Sequence, residues 1–204
     1  MKFSLFLGFV WWCCLLQTYG QLHEDNRIAS EKIVIVYWSR TNNTKAVAEI
    51  IQTIVGGTLV PLELVKPYPV DYKTTVEQVV RENEIGYLPP LKTKIDNLDH
   101  YEIIFVGFPT WGMQLPPPMK SFLTQNSLSG KTVIPFNTNG GYGIGSSFET
   151  VKKLCANSNV LEGYSVKGGV ERDGILFVIE GDKEQQVENE VKKWLIKINI
   201  LKKE

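Results

Sequence analysis

The sequence has 204 residues, of which 43% are hydrophobic and 22% are charged, and this composition is typical of one globular domain with a short additional segment. Its 22 basic and 22 acidic residues give no formal net charge. This balance argues against nucleic acid as a partner, because nucleic-acid-binding proteins present a basic surface.

The first 20 residues have the pattern of a secretory signal peptide. Lys2 precedes an apolar stretch over residues 3–16, and Thr18 and Gly20 supply the small residues expected before a cleavage site. The stretch is short for a membrane span, so no stable span is expected in the mature chain. We therefore predict a signal peptide over residues 1–20 and export to the periplasm or secretion. An uncleaved N-terminal membrane anchor is the alternative.

The rest of the chain divides into a polar linker, residues 21–31, and a domain over residues 32–200. Without the export segment, Cys155 is the single remaining cysteine, which excludes an internal disulfide and a cysteine metal site. Because Cys155 follows an apolar helix face, we interpret it as a small buried residue.

Buried strands alternate with amphipathic helices along the domain. Continuous apolar runs predict strands over residues 32–38, 58–64, 102–108, 131–136 and, less regularly, 159–163. Helical spacing of apolar residues predicts helices over residues 43–55, 72–84, 117–124, 146–154 and 184–198. Residues 175–180 are apolar but fit neither pattern. This alternation predicts a parallel sheet with helices on both faces, whose ligands bind at the carboxyl ends of the strands.

The loop after the first strand is residues 39–44 (SRTNNT). Its hydroxyls and backbone N–H groups precede a helix, and a helix N-terminus favours a phosphate. Simple helix capping by Asn42 or Asn43 explains the same residues. This loop contains no Gly-Lys-Ser/Thr sequence, so it is not a Walker loop.

Two further loops follow the third and fourth strands. Residues 109–115 (PTWGMQL) contain Trp111, whose large apolar face can either stack on a planar ligand or pack against its own loop. Residues 137–145 (NTNGGYGIG) contain four glycines, which allow close approach of the backbone to a ligand. A flexible loop is the simpler interpretation. This is not a dinucleotide fingerprint, because Ser146 stands where the third glycine is needed.

Together these segments resemble the flavodoxin family, and in particular the short bacterial flavodoxin-like proteins with a Ser-Arg-Thr phosphate loop. The matching segments are IVIVYWSRTNNT, IIFVGFPTWGMQLPPPMKSFL, KTVIPFNTNGGYGIGSSF and the terminal helix. The resemblance implies an α/β, flavodoxin-like three-layer fold with a five-stranded parallel sheet in the order 2-1-3-4-5. It also implies FMN as the cofactor.

The resemblance assigns roles to individual residues. The FMN phosphate would be held by Ser39, Arg40, Thr41, Asn42, Asn43 and Thr44. The isoalloxazine ring would be contacted by Pro109, Thr110, Trp111 and Gly112. Its edge would be approached by Asn137, Thr138, Gly140, Gly141 and Tyr142, and we add Tyr142 as a stacking partner. No catalytic residue and no metal ligand is expected.

Two features depart from the family pattern. Asn42 stands where the family usually has Gly, although Asn tolerates the left-handed conformation better than most residues. Flavodoxins also tend to be acidic around the flavin, whereas this chain is neutral overall, which leaves its docking partners open.

These features predict an FMN-binding protein that transfers electrons. Its partner would be a redox protein or a small-molecule electron acceptor, and neutral surroundings of the ring predict a low reduction potential. An NAD(P)H-dependent quinone or flavin reductase of the same fold is the alternative; if the protein is an enzyme, it is an FMN-dependent oxidoreductase. A flavin-free binding module is a third hypothesis for the function. A receiver domain and a hydrolase fit poorly, because the strand ends lack a phosphoacceptor Asp and no G-x-S-x-G occurs.

Overall fold

The apolar runs form the strands of a sheet that is covered on both faces in the structure, a computed structural model that describes residues 29–203. Its strands are β1 (Ile33–Tyr37), β2 (Thr58–Pro61), β3 (Ile103–Pro109), β4 (Thr132–Asn139), β5 (Asn159–Val160) and β6 (Tyr164–Lys167). Its helices are α1 (Asn43–Val55), α2 (Tyr72–Ile85), α3 (Pro117–Gln125), α4 (Ser147–Leu154) and α5 (Asp182–Lys197).

The strands pair in parallel in the order β2-β1-β3-β4-β5, and β6 also pairs with β4. This confirms the predicted order. The carboxyl ends of β1, β3 and β4 therefore lie at one edge of the sheet. The strand order reverses between β1 and β3, and open α/β sheets bind their ligands at such a point.

Alternating side chains of each strand enter two separate cores. In β1, Ile35 packs with residues of α1 and α5, whereas Val36 packs with residues of α3 and α4. Both side chains are fully buried, which is why the strand sequence is continuously apolar. The predicted three-layer arrangement is confirmed.

Cys155 lies at the end of α4 in the second of these cores. It is buried, as expected, and its burial raises the pKa of the thiol to about 11. The thiol is therefore protonated at neutral pH and serves as a packing residue.

The second strand is shorter than the predicted residues 58–64. Its ladder with β1 ends at Pro61, opposite Tyr37, the last residue of β1. The chain then pairs elsewhere: Lys92 N donates to Glu63 O at 2.7 Å, and Leu64 forms an antiparallel bridge with Leu91. The apolar pattern continues past the ladder because Leu64 is buried in a separate small core, together with Tyr68 and Val79.

The fifth strand, predicted over residues 159–163, is divided into β5 and β6, with one additional residue inserted between them. Asn159 N donates to Lys131 O and Leu161 N to Val133 O, so alternate residues of β4 face this strand. The next residue in that series is Pro135, which has no N–H group to continue the ladder. The strand therefore bulges beside Pro135 and pairs again at Tyr164.

The predicted signal peptide, residues 1–20, lies outside the described residues, and so does the linker up to residue 28. Both stay predictions. Within residues 29–203 no helix has the length and apolar character that a membrane crossing requires.

Candidate functional site

A cleft of about 400 Å³ opens at the carboxyl edge of the sheet, between the three loops singled out in the sequence. We call it the first cleft. Of the predicted site residues, it is lined by Arg40, Thr41, Asn43, Thr44, Pro109, Thr110, Trp111, Gly112, Thr138, Gly140 and Tyr142. Ser39, Asn42, Asn137 and Gly141 belong to the same loops but do not line it.

The loop over residues 39–44 offers a cradle of unused hydrogen-bond donors. In the described part of the chain, none of its backbone N–H groups donates to another protein group. Asn42 adopts the left-handed conformation, with φ of 65°, and turns the chain into α1. Because Asn42 caps the helix without a side-chain hydrogen bond, simple capping does not account for the loop. Unsatisfied N–H groups at a helix N-terminus are an anion site.

Hydroxyl groups reinforce this cradle. The Thr44 and Thr138 hydroxyl oxygens lie 2.8 Å apart in a buried hydrogen bond that joins the loop to β4. Ser39 Oγ accepts from Lys45 N, and Thr41 Oγ1 accepts from Asn43 Nδ2 at 2.9 Å. Since these two hydroxyls act as acceptors, their own protons are left to donate to an anion.

The guanidinium of Arg40 is bonded to groups outside this cradle. Its Nε donates to Glu171 Oε1 at 2.7 Å, and its terminal nitrogens donate to the carbonyl oxygens of Pro69 and Val70. In this arrangement Arg40 links its own loop to residues 69–70 and to Glu171, and it does not supply a charge to the cradle. An anion would therefore be bound mainly by neutral N–H and O–H donors.

Asn43 has a structural role at the same loop. Its side chain is 3% exposed, Nδ2 donates to Leu176 O at 2.5 Å, and Oδ1 accepts from Val178 N at 3.1 Å. These bonds fix the apolar segment 175–180 beside the loop, which explains why that segment fits neither a strand nor a helix pattern.

The second loop makes a tight turn in which Trp111 and Gln114 exchange backbone hydrogen bonds. Gly112 and Met113 both have positive φ, 56° and 60°. Trp111 lies edge-on to Tyr68 and Trp38, with ring centroids 5.3 and 6.0 Å away. It therefore packs against neighbouring rings and also lines the cleft, so both roles considered for it are compatible.

A buried carboxylate supports this aromatic cluster. Tyr68 Oη donates to Glu82 Oε2 at 2.5 Å, and Gln78 Nε2 donates to the other oxygen of the same carboxylate at 2.8 Å. Burial and the neighbouring carboxylate raise the pKa of Tyr68, which stays protonated as the donor. This pair holds Tyr68 against Trp111.

The third loop is shaped from within by Asn139, whose Oδ1 accepts from the N–H groups of Gly141 and Gly143 at 2.8 and 3.2 Å. Asn137 is fully buried and donates to Phe108 O and Thr110 Oγ1. Both asparagines therefore position the second and third loops, whereas Gly140 and the 67% exposed Tyr142 face the cleft.

A fourth segment that the sequence reasoning missed completes the first cleft. It follows β6 and contributes Gly168, Gly169, Val170, Glu171 and Arg172. A side chain at Gly168 would lie 3.1 Å from Asn43, so glycine lets this segment approach the loop over residues 39–44. The sequence does contain a signal for this segment: apolar and polar residues alternate in YSVK, as in a strand, and two glycines follow. Tyr72, Met113, Asn139 and Gly143 also line the cleft and were not predicted.

The chemistry of the first cleft is that of a binding site. It combines neutral donors suited to a phosphate with aromatic and backbone surfaces suited to a flat ring. The residues that the structure describes contain no cluster of His, Cys, Asp and Glu that could hold a metal ion. The features fit a nucleotide-type cofactor with one phosphate and a planar ring system.

Comparison with known proteins gives the family. The chain matches the flavodoxin family over residues 32–181. None of the curated proteins compared matches it. A solved flavoprotein from Bacteroides eggerthii is 30% identical, with a TM-score of 0.67 over 83% of this chain and 99% of its own. A Bacteroides uniformis flavoprotein is 25% identical, with a TM-score of 0.65 over 80% and 99%.

A more distant likeness shows the fold alone. A flavoprotein from Lactobacillus acidophilus, solved in complex with FMN, is 21% identical, with a TM-score of 0.60 over 71% of this chain and 98% of its own.

The match to the family spans most of the chain, and the Bacteroides eggerthii protein aligns with it over nearly the whole length of that protein. The chain belongs to the flavodoxin family.

Proposed function

We propose that the protein binds FMN in the first cleft and acts in electron transfer. The observation that carries the proposal is the loop over residues 39–44, whose backbone N–H groups have no protein acceptor within the described chain and surround a helix N-terminus. The FMN bound by the Lactobacillus acidophilus flavoprotein supports it, because that protein has the same fold.

Phosphate and ring would be held by different loops. The N–H groups of residues 39–44 and the hydroxyls of Ser39 and Thr41 would donate to the phosphate. Trp111, Gly140 and Tyr142 would border the ring. Bound FMN supplies one- or two-electron transfer, and the chain's own residues orient it and limit the access of water.

The charges that line the first cleft are paired. Arg40 is paired with Glu171 at 2.7 Å, and Arg172 is paired with Asp173 at 2.8 Å. A cleft with no net charge gives little stabilisation to an anionic reduced flavin, whose burial is costly. We therefore expect a midpoint potential at or below that of free FMN. A midpoint well above it, in a spectroscopic redox titration, would contradict this part of the proposal.

The first test is the absorption and fluorescence of the purified chain during titration with FMN. Shifted flavin bands and quenched flavin fluorescence, saturating at one FMN per chain, are expected because Trp111 and Tyr142 border the cleft. Riboflavin, which lacks the phosphate, is the matched control and should bind at least tenfold more weakly, about 1.4 kcal/mol. Absence of FMN binding at micromolar concentration would favour the flavin-free binding module.

A further inference from the structure

A second cleft of about 380 Å³ lies beside the first, between α2 and the turn that carries Trp111. It is lined by Arg40, Tyr72, Thr75, Val76, Val79, Val80, Asn83, Glu84, Thr110, Trp111, Gly112, Gln114 and Glu171. The two clefts share six lining residues, and three of these, Thr110, Trp111 and Gly112, are predicted to contact the flavin ring. A molecule in the second cleft would therefore lie next to the cofactor.

One wall of the second cleft is apolar although it faces solvent. Val76 and Val80 are one helical turn apart on α2 and are 38% and 47% exposed, and the buried Val79 lies between them. Trp111 forms part of the opposite wall. A narrow space between valines and an indole ring suits a flat, mostly apolar molecule.

The end of this cleft presents hydrogen-bond donors, because a lysine fixes the orientation of two amides. Lys120 Nζ lies 2.8 Å from Asn83 Oδ1 and 3.3 Å from Gln114 Oε1. An ammonium group is only a donor, so both amide oxygens must face Lys120. The NH₂ groups of Asn83 and Gln114 then point elsewhere, and among the described residues neither donates to a protein acceptor.

Lys120 adds a positive charge beside the amides of Asn83 and Gln114. Among residues 29–203 it forms no ion pair, and its partial burial lowers the pKa of its ammonium group. Lys120 contacts the two amides but does not line the cleft, whereas the carboxylate of Glu84 does, so the site favours a neutral ligand whose oxygen atoms carry partial negative charge. The cleft thus combines an apolar slot with donors for oxygen at one end.

From this arrangement we propose that the second cleft binds the electron acceptor, a small aromatic carbonyl compound of the quinone class. The proposal rests on the proposed FMN function. The quinone takes up two electrons from the reduced FMN, and its carbonyl oxygens take up two protons, one from the anionic reduced FMN and one from water. The hydroquinone forms and the FMN returns to the oxidised form. The NH₂ groups of Asn83 and Gln114, which Lys120 holds in place, orient the carbonyl oxygens. Val76, Val80 and Trp111 hold the ring.

The test compares binding of dimethylnaphthoquinone and of dimethylnaphthalene, which has the same ring without the oxygens, by ligand-observed NMR on the full chain without FMN. The quinone should bind and the hydrocarbon should bind at least fivefold more weakly. Val80→Lys should reduce quinone binding at least tenfold. Val65→Lys is the matched control, because Val65 is an exposed valine that does not line the cleft, and it should leave binding unchanged.

The donors are tested with Gln114→Leu, which should reduce the preference for the quinone over the hydrocarbon, because only the NH₂ group of Asn83 remains, while the hydrocarbon binds as before. FMN titrations of the same variants separate the two proposals, since Val80→Lys should leave the affinity for FMN within twofold. Equal quinone binding by Val80→Lys and Val65→Lys would overturn the second-cleft proposal while FMN function stands. Quinone binding without any FMN binding would overturn the acceptor role together with the proposed function.

A kinetic readout completes the test. The FMN-loaded protein is reduced with dithionite under anaerobic conditions and mixed with dimethylnaphthoquinone. The rate at which the flavin absorption returns should fall at least tenfold in Val80→Lys and stay unchanged in Val65→Lys. Equal rates in both variants would show that electrons leave by another route and would overturn the proposal.

Discussion

Arg40 and Glu171 form an ion pair, with 2.7 Å between Nε and Oε1, that links the loop over residues 39–44 to the segment after β6. Both side chains are largely buried, at 17% and 20% exposed, and both line the first and the second cleft. Arg40 also holds the carbonyl oxygens of Pro69 and Val70. The pair therefore lies at the common border of the two clefts and neutralises charge there.

Replacing Glu171 by Gln should raise the midpoint potential of bound FMN. The positive charge of Arg40 then lacks its carboxylate, and an uncompensated cation favours the anionic reduced flavin by about 1 kcal/mol at most for a partly screened charge. A spectroscopic redox titration measures the shift. Asp173→Asn is the comparison: its exposed pair with Arg172 is screened by solvent, so the shift should be smaller. A larger shift in Asp173→Asn would contradict this account.

Asn42 should tolerate glycine but not alanine. Its φ of 65° lies in the left-handed region, which costs a residue with an ordinary side chain roughly 1 kcal/mol. We expect Asn42→Gly to bind FMN at least as tightly as the native chain. Asn42→Ala should lower both the free energy of unfolding, by about 1 kcal/mol, and the affinity for FMN.

A matched control is available at Asn97, which has φ of 55° and lies away from both clefts. Asn97→Ala should lose a similar amount of stability in urea denaturation while FMN affinity stays unchanged. If Asn97→Ala weakened FMN binding as much as Asn42→Ala does, the effect at Asn42 would be one of general stability.

Much of the fold could be predicted because the physical signals are local. The run IVIVY could only be a strand buried on both faces, and Gly56 with φ of 75° ends α1 at the predicted residue. The divided fifth strand could not be predicted in this way. It depends on Pro135, which belongs to the neighbouring strand and interrupts a ladder that the sequence of residues 159–167 does not reveal.

The part of the site that one loop supplies could be predicted, because its residues are neighbours in the sequence. The part that depends on contacts between distant residues could not. The loop over residues 39–44 is one segment, and its position at the first cleft could be predicted. The orientation of Arg40 depends on Glu171, which is 131 residues away, and the segment 168–172 reaches the cleft only through the placement of β6. Sequence spacing does not report such pairings.

Asn43→Ala should destabilise the fold by about 2 kcal/mol. The substitution removes the acceptor of Val178 N and the donor to Leu176 O, and buried backbone groups without partners are costly. Urea denaturation measures the loss, and the amide of Val178 should exchange with deuterium faster than in the native chain. Asn126→Ala, which removes only a side-chain bond to the carbonyl of Phe122 at the end of α3, should cost less than half as much.

The bond between Tyr164 and Glu190 should make stability depend on acidic pH. Tyr164 Oη donates to Glu190 Oε2 at 2.7 Å, and this bond is the main cause that lowers the pKa of Glu190. A carboxyl group with a lowered pKa in the folded state stabilises the fold above its unfolded pKa, and the stabilisation disappears as pH falls through the folded pKa.

Tyr164→Phe should therefore reduce the free energy of unfolding by about 1 kcal/mol at neutral pH, an amount discounted because Glu190 is partly exposed to solvent. The difference from the native chain should shrink as the pH falls through the acidic range, since protonated Glu190 no longer gains from the bond. Urea denaturation across that range measures it. Tyr101→Phe, which loses only an exposed bond to Thr58, should show a small difference that is constant with pH. A constant difference for Tyr164→Phe as well would mean that the hydroxyl acts through packing and not through the charge of Glu190.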